Sequence, residues 1–248
     1  MSHRVAFCTA HNVPMSYAGV ARSRAIEENP ANDLTPSGDN ALEAAGEFRK
    51  FWRPGRTLKV AFVGGASAAQ QQVMDTARQW SDFANIAFDF GDHQDAEIRI
   101  ALDENDGHWS AVGTDALVEE YFPKSGPTMN CGLTTDSPPA EYSRVVLHEF
   151  GHALGLIHEH QNPAAGIQWN ERVVIDALKR SQGWDEATIR HNVLNSVSRE
   201  DLRFTAFDDK SIMLYAFPPE WTVDGRQFGH NTALSETDQA FIAAHYPR

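Results

Sequence analysis

The stretch His148-Glu149-Phe150-Gly151-His152-Ala153-Leu154-Gly155-Leu156-Ile157-His158 holds three imidazoles, one carboxylate and two glycines. On an α-helix, His148 and His152 lie on one face, one turn apart. Glu149 sits on the flank of that face. Gly155 can take the left-handed backbone that ends a helix and turns the chain back. His158 then arrives from the following loop. Three nitrogen ligands with an open fourth position are the pattern of a catalytic zinc site rather than a closed structural one. The surrounding Val145, Val146, Leu147, Phe150, Ala153 and Leu154 are apolar, so the helix is expected to be buried. Unpaired polar groups are costly there. A single metal ion satisfies three of them at once, whereas reading these histidines as ordinary polar residues leaves that cost unmet.

The composition allows this chemistry and excludes others. A chain of 248 residues falls between one large domain and two small ones and can bury a sizeable core. The net charge of −13 argues against a nucleic-acid partner, which calls for a basic face. No apolar run reaches the roughly 18 residues of a membrane span. The opening residues lack the apolar stretch of a secretory signal, so either the precursor is not shown, or the protein stays inside the cell, or it leaves by a route without a cleaved signal. Cys8 and Cys131 do not make a disulfide framework, and Cys131 is expected to be buried. Asp103, Asp106 and Gly107 could offer oxygen ligands to calcium, but their spacing fits a polar turn better. His93, His108, His191, His230 and His245 are isolated and read as surface residues. His160 reads as a support beside the site.

Residues 1–45 are rich in turn dipeptides and poor in apolar periods, which predicts an irregular N-terminal arm or a pro-segment. A short helix is expected at 43–52 and strands at 57–63, 86–90 and 97–102. Apolar spacing predicts a long helix at 68–84. Residues 103–112 read as a polar loop and 128–133 as a short strand. The histidine helix is placed at 140–154, after Pro138-Pro139. Helices follow at 170–182 and 185–193, and a capped helix runs from Ser235 to about His245. Strands before the motif and helices after it suggest a catalytic domain over 46–248. Its upper lobe would span 46–155 and its lower lobe 156–248, with the zinc cleft between them.

Downstream stands Ser211-Ile212-Met213-Leu214-Tyr215. This turn and the extended histidine motif together resemble the metzincin metallopeptidases, in a microbial astacin-like or matrixin-like subfamily. The likeness covers roughly residues 50–248. It departs from animal astacins in lacking their disulfide cysteines, and Leu214 stands where they carry a histidine. The resemblance implies an α+β fold, with a twisted mixed sheet and helices in the N-terminal lobe and a helical or irregular C-terminal lobe. It implies one catalytic zinc on His148, His152 and His158, with Met213 beneath the ligands. Glu149 would be the general base, and Tyr215 would support the transition state. Glu159 resembles a position that pairs with a polar or charged group near a mature N-terminus. A peptide or protein substrate would lie along the strand at 97–102, with no nucleic acid or membrane involved. The alternative is a catalytically silent zinc-containing binding protein of the same fold. Cys8 and Asp39 are two candidates for a latency ligand at the fourth zinc position. Oligomeric state and cleavage preference are not legible.

Overall fold

The histidine helix is wedged beneath a sheet that only partly follows local sequence preference. The computed structural model describes residues 8–34, 49–196 and 206–248. Six strands, β1 (Cys8–His11), β2 (Arg56–Phe62), β3 (Ile86–Phe90), β4 (Ile98–Ala101), β5 (His108–Ala111) and β6 (Met129–Cys131), form one sheet in the order β1-β5-β6-β4-β2-β3. β2 pairs in parallel with β3 and β4, and β4 with β6. β5 runs antiparallel to β6, and β1 runs parallel to β5. Leu58, Val60, Ile98 and Ile100 alternate along β2 and β4 and point into the core.

Three expectations fail here. Residues 103–112 are not all loop, because β5 occupies their second half. β4 therefore lies inside the sheet between β6 and β2, and β5 stands next to the outer strand β1. The sequence His108-Trp109-Ser110-Ala111 has no β-branched residue, so its strand character comes from tertiary context. That context is Asn130, fully buried, which donates from Nδ2 to Asp103 O and Gly107 O and accepts from Asp103 N. His108, expected at the surface, is 6% exposed, and its Nδ1 accepts from Gly132 N. The acidic residues of the preceding turn make local bonds: Asp103 accepts from Asn105 N, and Asp106 from the Trp109 indole.

The described part of the N-terminal arm is also more ordered than its composition suggests. After β1 come a short 3-10 turn and helix α1 (Ala18–Glu28), followed by a second 3-10 turn at Pro30–Asn32. Ala21 and Ala25 are buried. The fastening is polar: Asn32 donates to Phe51 O at 2.8 Å and accepts from Phe51 N, while Asn29 donates to Trp52 O. Asp39 and most of the helix expected at 43–52 lie outside the described residues.

Helix α2 (Ser67–Ala77), extended by a 3-10 turn to Asp82, packs on helix α3 (Pro139–Ala153), which carries the motif. Pro138 and Pro139 start α3, where a missing N–H costs nothing. At its other end the last carbonyls need donors. Trp52 Nε1 reaches Ala153 O at 2.8 Å and Tyr246 Oη reaches Leu154 O at 2.7 Å. After the third histidine come helices α4 (Glu171–Gln182) and α5 (Glu186–Ile189), the latter continued by a π-helical turn at Arg190–Leu194, and the chain closes with α6 (Glu236–His245), whose Ile242 joins the main core. A second apolar cluster gathers Val174, Leu178, Ile189, Val193, Phe217 and Trp221.

Helix α6 opens with a reciprocal capping box between Ser235 and Asp238. Asp238 also accepts from Ser211 Oγ at 2.7 Å and from Ile212 N at 2.8 Å, so the cap of the last helix holds the methionine turn. Asp238→Ala strands these buried donors and is expected to cost about 1 to 3 kcal/mol, read as a lower denaturant midpoint with an unchanged m-value.

Candidate metal centre and active site

Helix α3 ends by a Schellman motif centred on Gly155. Its φ is +97°, Gly155 N donates to His152 O, and Leu156 N donates to Gly151 O. A side chain at Gly155 would also press on Phe51, with its Cβ 3.0 Å from that ring. The reversal brings Leu156 O to His152 Nδ1 at 2.8 Å. His148 Nδ1 donates likewise to Ile212 O at 2.8 Å. A carbonyl only accepts, so both rings carry their proton on Nδ1 and turn an Nε2 lone pair inward.

The inward nitrogens converge. His148 Nε2 is buried and has no protein partner. His152 Nε2 and His158 Nε2 stand 3.0 Å apart. Burial is the largest influence on all three rings and favours their neutral forms, taking His152 down to about 4. His158 Nδ1 is buried and has no partner, so with its proton there, as in the other two rings, the three Nε2 lone pairs form a donor set for a cation. Cys8 Sγ joins them: one donor atom from each of Cys8, His148, His152 and His158 lies within 4.8 Å of every other. Three nitrogens and a thiol suit zinc. This is the only such cluster of at least three His, Cys, Asp or Glu among the described residues.

Glu149 is 1% exposed, and its Oε2 accepts from Cys8 Sγ at 3.0 Å. Burial pushes the Glu149 carboxyl up to about 8 and the Cys8 thiol well up. Tyr215 packs its ring 4.1 Å from that of His158 and donates its hydroxyl to Cys8 O. The arrangement joins a metal position, a poised carboxylate and a phenol in one buried pocket. Each is in contact with Cys8.

The matching family model is that of the astacin peptidases, and it covers residues 45–246. The chain belongs to the astacin family. It is similar to a structure of myroilysin, with a TM-score of 0.76 and 36% identity, covering 80% of this chain and 96% of that one. A second structure, a crystal structure of myroilysin, gives 0.63 and 30% identity over 97% and 99%. A hatching enzyme zinc-protease from Oryzias latipes shares the fold at 16% identity and a TM-score of 0.54, over 86% of this chain and 98% of that one. The curated relative described as zinc metalloproteinase dpy-31 of Caenorhabditis elegans is 28% identical over 75% of this chain. The chain spans 31% of that protein's length, and 17% of a relative of the same description from Teladorsagia circumcincta. The astacin family is a zinc metallopeptidase family, and the donor set described above fits zinc.

Within the astacin frame the remaining expected residues take definite places. Met213 packs against the histidine helix at Gly151, where a Cβ would come within 2.3 Å of its Sδ. Sequence reasoning passed over Gly151, although a glycine inside a helix is unfavourable and signals a packing reason. Glu159, half-buried, accepts from Asn162 Nδ2 and Asp208 N at 3.0 Å each, and partial burial takes its carboxyl up to about 7. His160 stacks on Tyr215 with ring centroids 4.6 Å apart, and its Nε2 donates to Asn192 O. Cys131 is fully buried on β6.

Gly151→Ala drives a methyl into Met213 and is expected to destabilise by about 1 to 3 kcal/mol, seen as a lower melting temperature together with weaker zinc retention on dialysis.

Proposed function

We propose that this chain is a zinc-dependent endopeptidase held latent by its own N-terminal segment. The observation that carries the reading is the convergence of three imidazole lone pairs on one buried point beside Glu149, with Cys8 at the fourth position. Zinc supplies Lewis acidity at that point and makes a water acidic enough to deprotonate near neutral pH. His148, His152 and His158 hold the ion, kept in the ligating tautomer where Ile212 O and Leu156 O fix the ring. Glu149 Oε2 takes the proton of the attacking water and later delivers a proton to the leaving nitrogen. The Tyr215 hydroxyl donates to the oxyanion that develops on the scissile carbonyl. Met213 and Gly151 set the level of the floor beneath the ligands. Gly155 supplies the turn that returns the chain to His158.

The substrate is a peptide or protein segment in extended form, added to β5 as β1 is added in this structure. Cys8 blocks all three working groups together: its Sγ faces the imidazoles, its thiol is bonded to Glu149, and its carbonyl occupies Tyr215. Removal of residues 8–34 then both vacates the strand position and frees the acid–base group.

Glu149→Gln is expected to retain one equivalent of zinc and lose peptide hydrolysis, whereas Tyr215→Phe slows it by roughly tenfold to a hundredfold. Zinc analysis beside turnover of a peptide mixture reads both; near-normal turnover by the Gln variant would remove Glu149 as the base. Cys8→Ala in the full chain is expected to raise turnover above that of the parent, and an unchanged rate would refute latency through this thiol.

A further inference from the structure

The last residue of β1 lies flat against its neighbouring strand. His11 stacks on Trp109 of β5, with ring centroids 4.6 Å apart and planes 10° from parallel. Strand pairing alone does not require this. Thr9 is the residue paired with Trp109, and His11 is paired with Ala111. The imidazole therefore reaches diagonally across the ladder to cover the indole.

Trp109 is held in place from its polar edge. Its Nε1 donates to Asp106 Oδ2 at 2.8 Å, in the turn just before the strand. That turn is itself tied down, since Asn130 Nδ2 donates to the carbonyls of Asp103 and Gly107. The indole is thus anchored through its N–H and keeps a flat face for a neighbour. Trp109 and His11 both line a cavity of about 1210 Å³, together with Glu104, Asp106, Glu141 and Arg180, so its lining carries both signs of charge.

We infer that the face of Trp109 is a substrate subsite that selects a flat side chain, an aromatic ring or an arginine guanidinium, with Trp109 as its specificity-determining residue. The inference rests on the peptidase reading and on the substrate replacing β1 along β5. When β1 leaves, the indole loses the imidazole that covers it, and an incoming strand brings a side chain to the same place. A ring stacked on indole gains attraction beyond the area it buries, and a guanidinium gains cation–π contact. An aliphatic side chain gains the buried area alone, and a small polar one gains little of either. With acids and a base both lining the cavity, flatness rather than charge decides the choice. His11 stands about 10 Å along an extended chain from Cys8, so the selected residue lies roughly three residues from the cut. It falls after the cut if the substrate runs in the direction of β1, and before it if the substrate runs the other way.

Two arms test this. In the first, the zinc-loaded full chain is activated by limited proteolysis and given a randomised peptide mixture, with cut sites read by mass spectrometry. Aromatic residues and arginine are expected to be enriched about threefold to tenfold over leucine and valine at one position. Trp109→Leu should erase that enrichment and Trp109→Phe should keep most of it, with zinc content and melting temperature read beside each. In the second arm, alkylation of Cys8 is timed in the intact zinc-loaded chain, with mass mapping to separate it from Cys131. His11→Leu should speed alkylation about threefold to tenfold and His11→Phe should not. On Trp109→Leu the same two substitutions should differ little. A cleavage profile without the enrichment, or one unchanged in Trp109→Leu, overturns the subsite whatever the alkylation rates. If no peptide is cut, the peptidase reading fails and the second arm decides: alkylation indifferent to residue 11 overturns the preference of Trp109 for a flat side chain, and retained dependence supports it.

Discussion

Three neutral imidazoles buried together, with ring nitrogens turned on one another, form a costly arrangement that a cation relieves. Each ring alone could be satisfied by a neighbouring donor, but His148 Nε2 has none, and His152 and His158 present nitrogens to each other. Much of the surrounding structure serves this constraint. The tautomers of His148 and His152 are fixed by carbonyls, one from the methionine turn and one from the Gly155 reversal. The methionine turn is in turn held by Asp238 at the cap of the last helix. The end of the histidine helix is finished by Trp52 and Tyr246, from segments more than 190 residues apart that also bond to each other through Trp52 N and Tyr246 Oη. Local distortions in any of these would be felt as a misaimed nitrogen.

The site is legible in sequence where its logic is local. The spacing of His148, His152, Gly155 and His158 is a helix and its exit, and the structure places them on one helix and its exit turn. Met213 and Tyr215 come from far along the chain, and only their resemblance to a known turn singles them out. Strand β5 is not legible, because its strand character is imposed by the side chain of Asn130 and by pairing with β6. His108 misleads for the same reason: a lone histidine in a polar stretch reads as solvated until a strand turns it inward. Gly151 is readable in principle, since only a contact justifies glycine at mid-helix.

The N-terminal segment is hardest to read because its fastening is polar and distributed. Asn32 exchanges two hydrogen bonds with the Phe51 backbone, much as a strand neighbour would, but through its side chain. Composition assigns such asparagines to turns. Their partner segment is the one whose next residue, Trp52, closes the histidine helix. The segment that carries Cys8 is thus fastened at the metal position and again at the segment that finishes the C-terminal end of the same helix. A single broken contact would not release it.

The parallel pairing of β1 with β5 has a consequence for the behaviour of the protein as a material. A strand that must accept peptides of varied sequence through backbone groups cannot be blunted by proline, bulges or charge without losing that ability. β5 carries none of these devices, and Trp109 at its centre is stacked on His11 of the covering strand. While β1 is in place, the unsatisfied N–H and C=O row is hidden from other copies of the chain. If β1 departs, as the proposed activation requires, the same row becomes a template for self-association, so the covering strand doubles as a solubility cap.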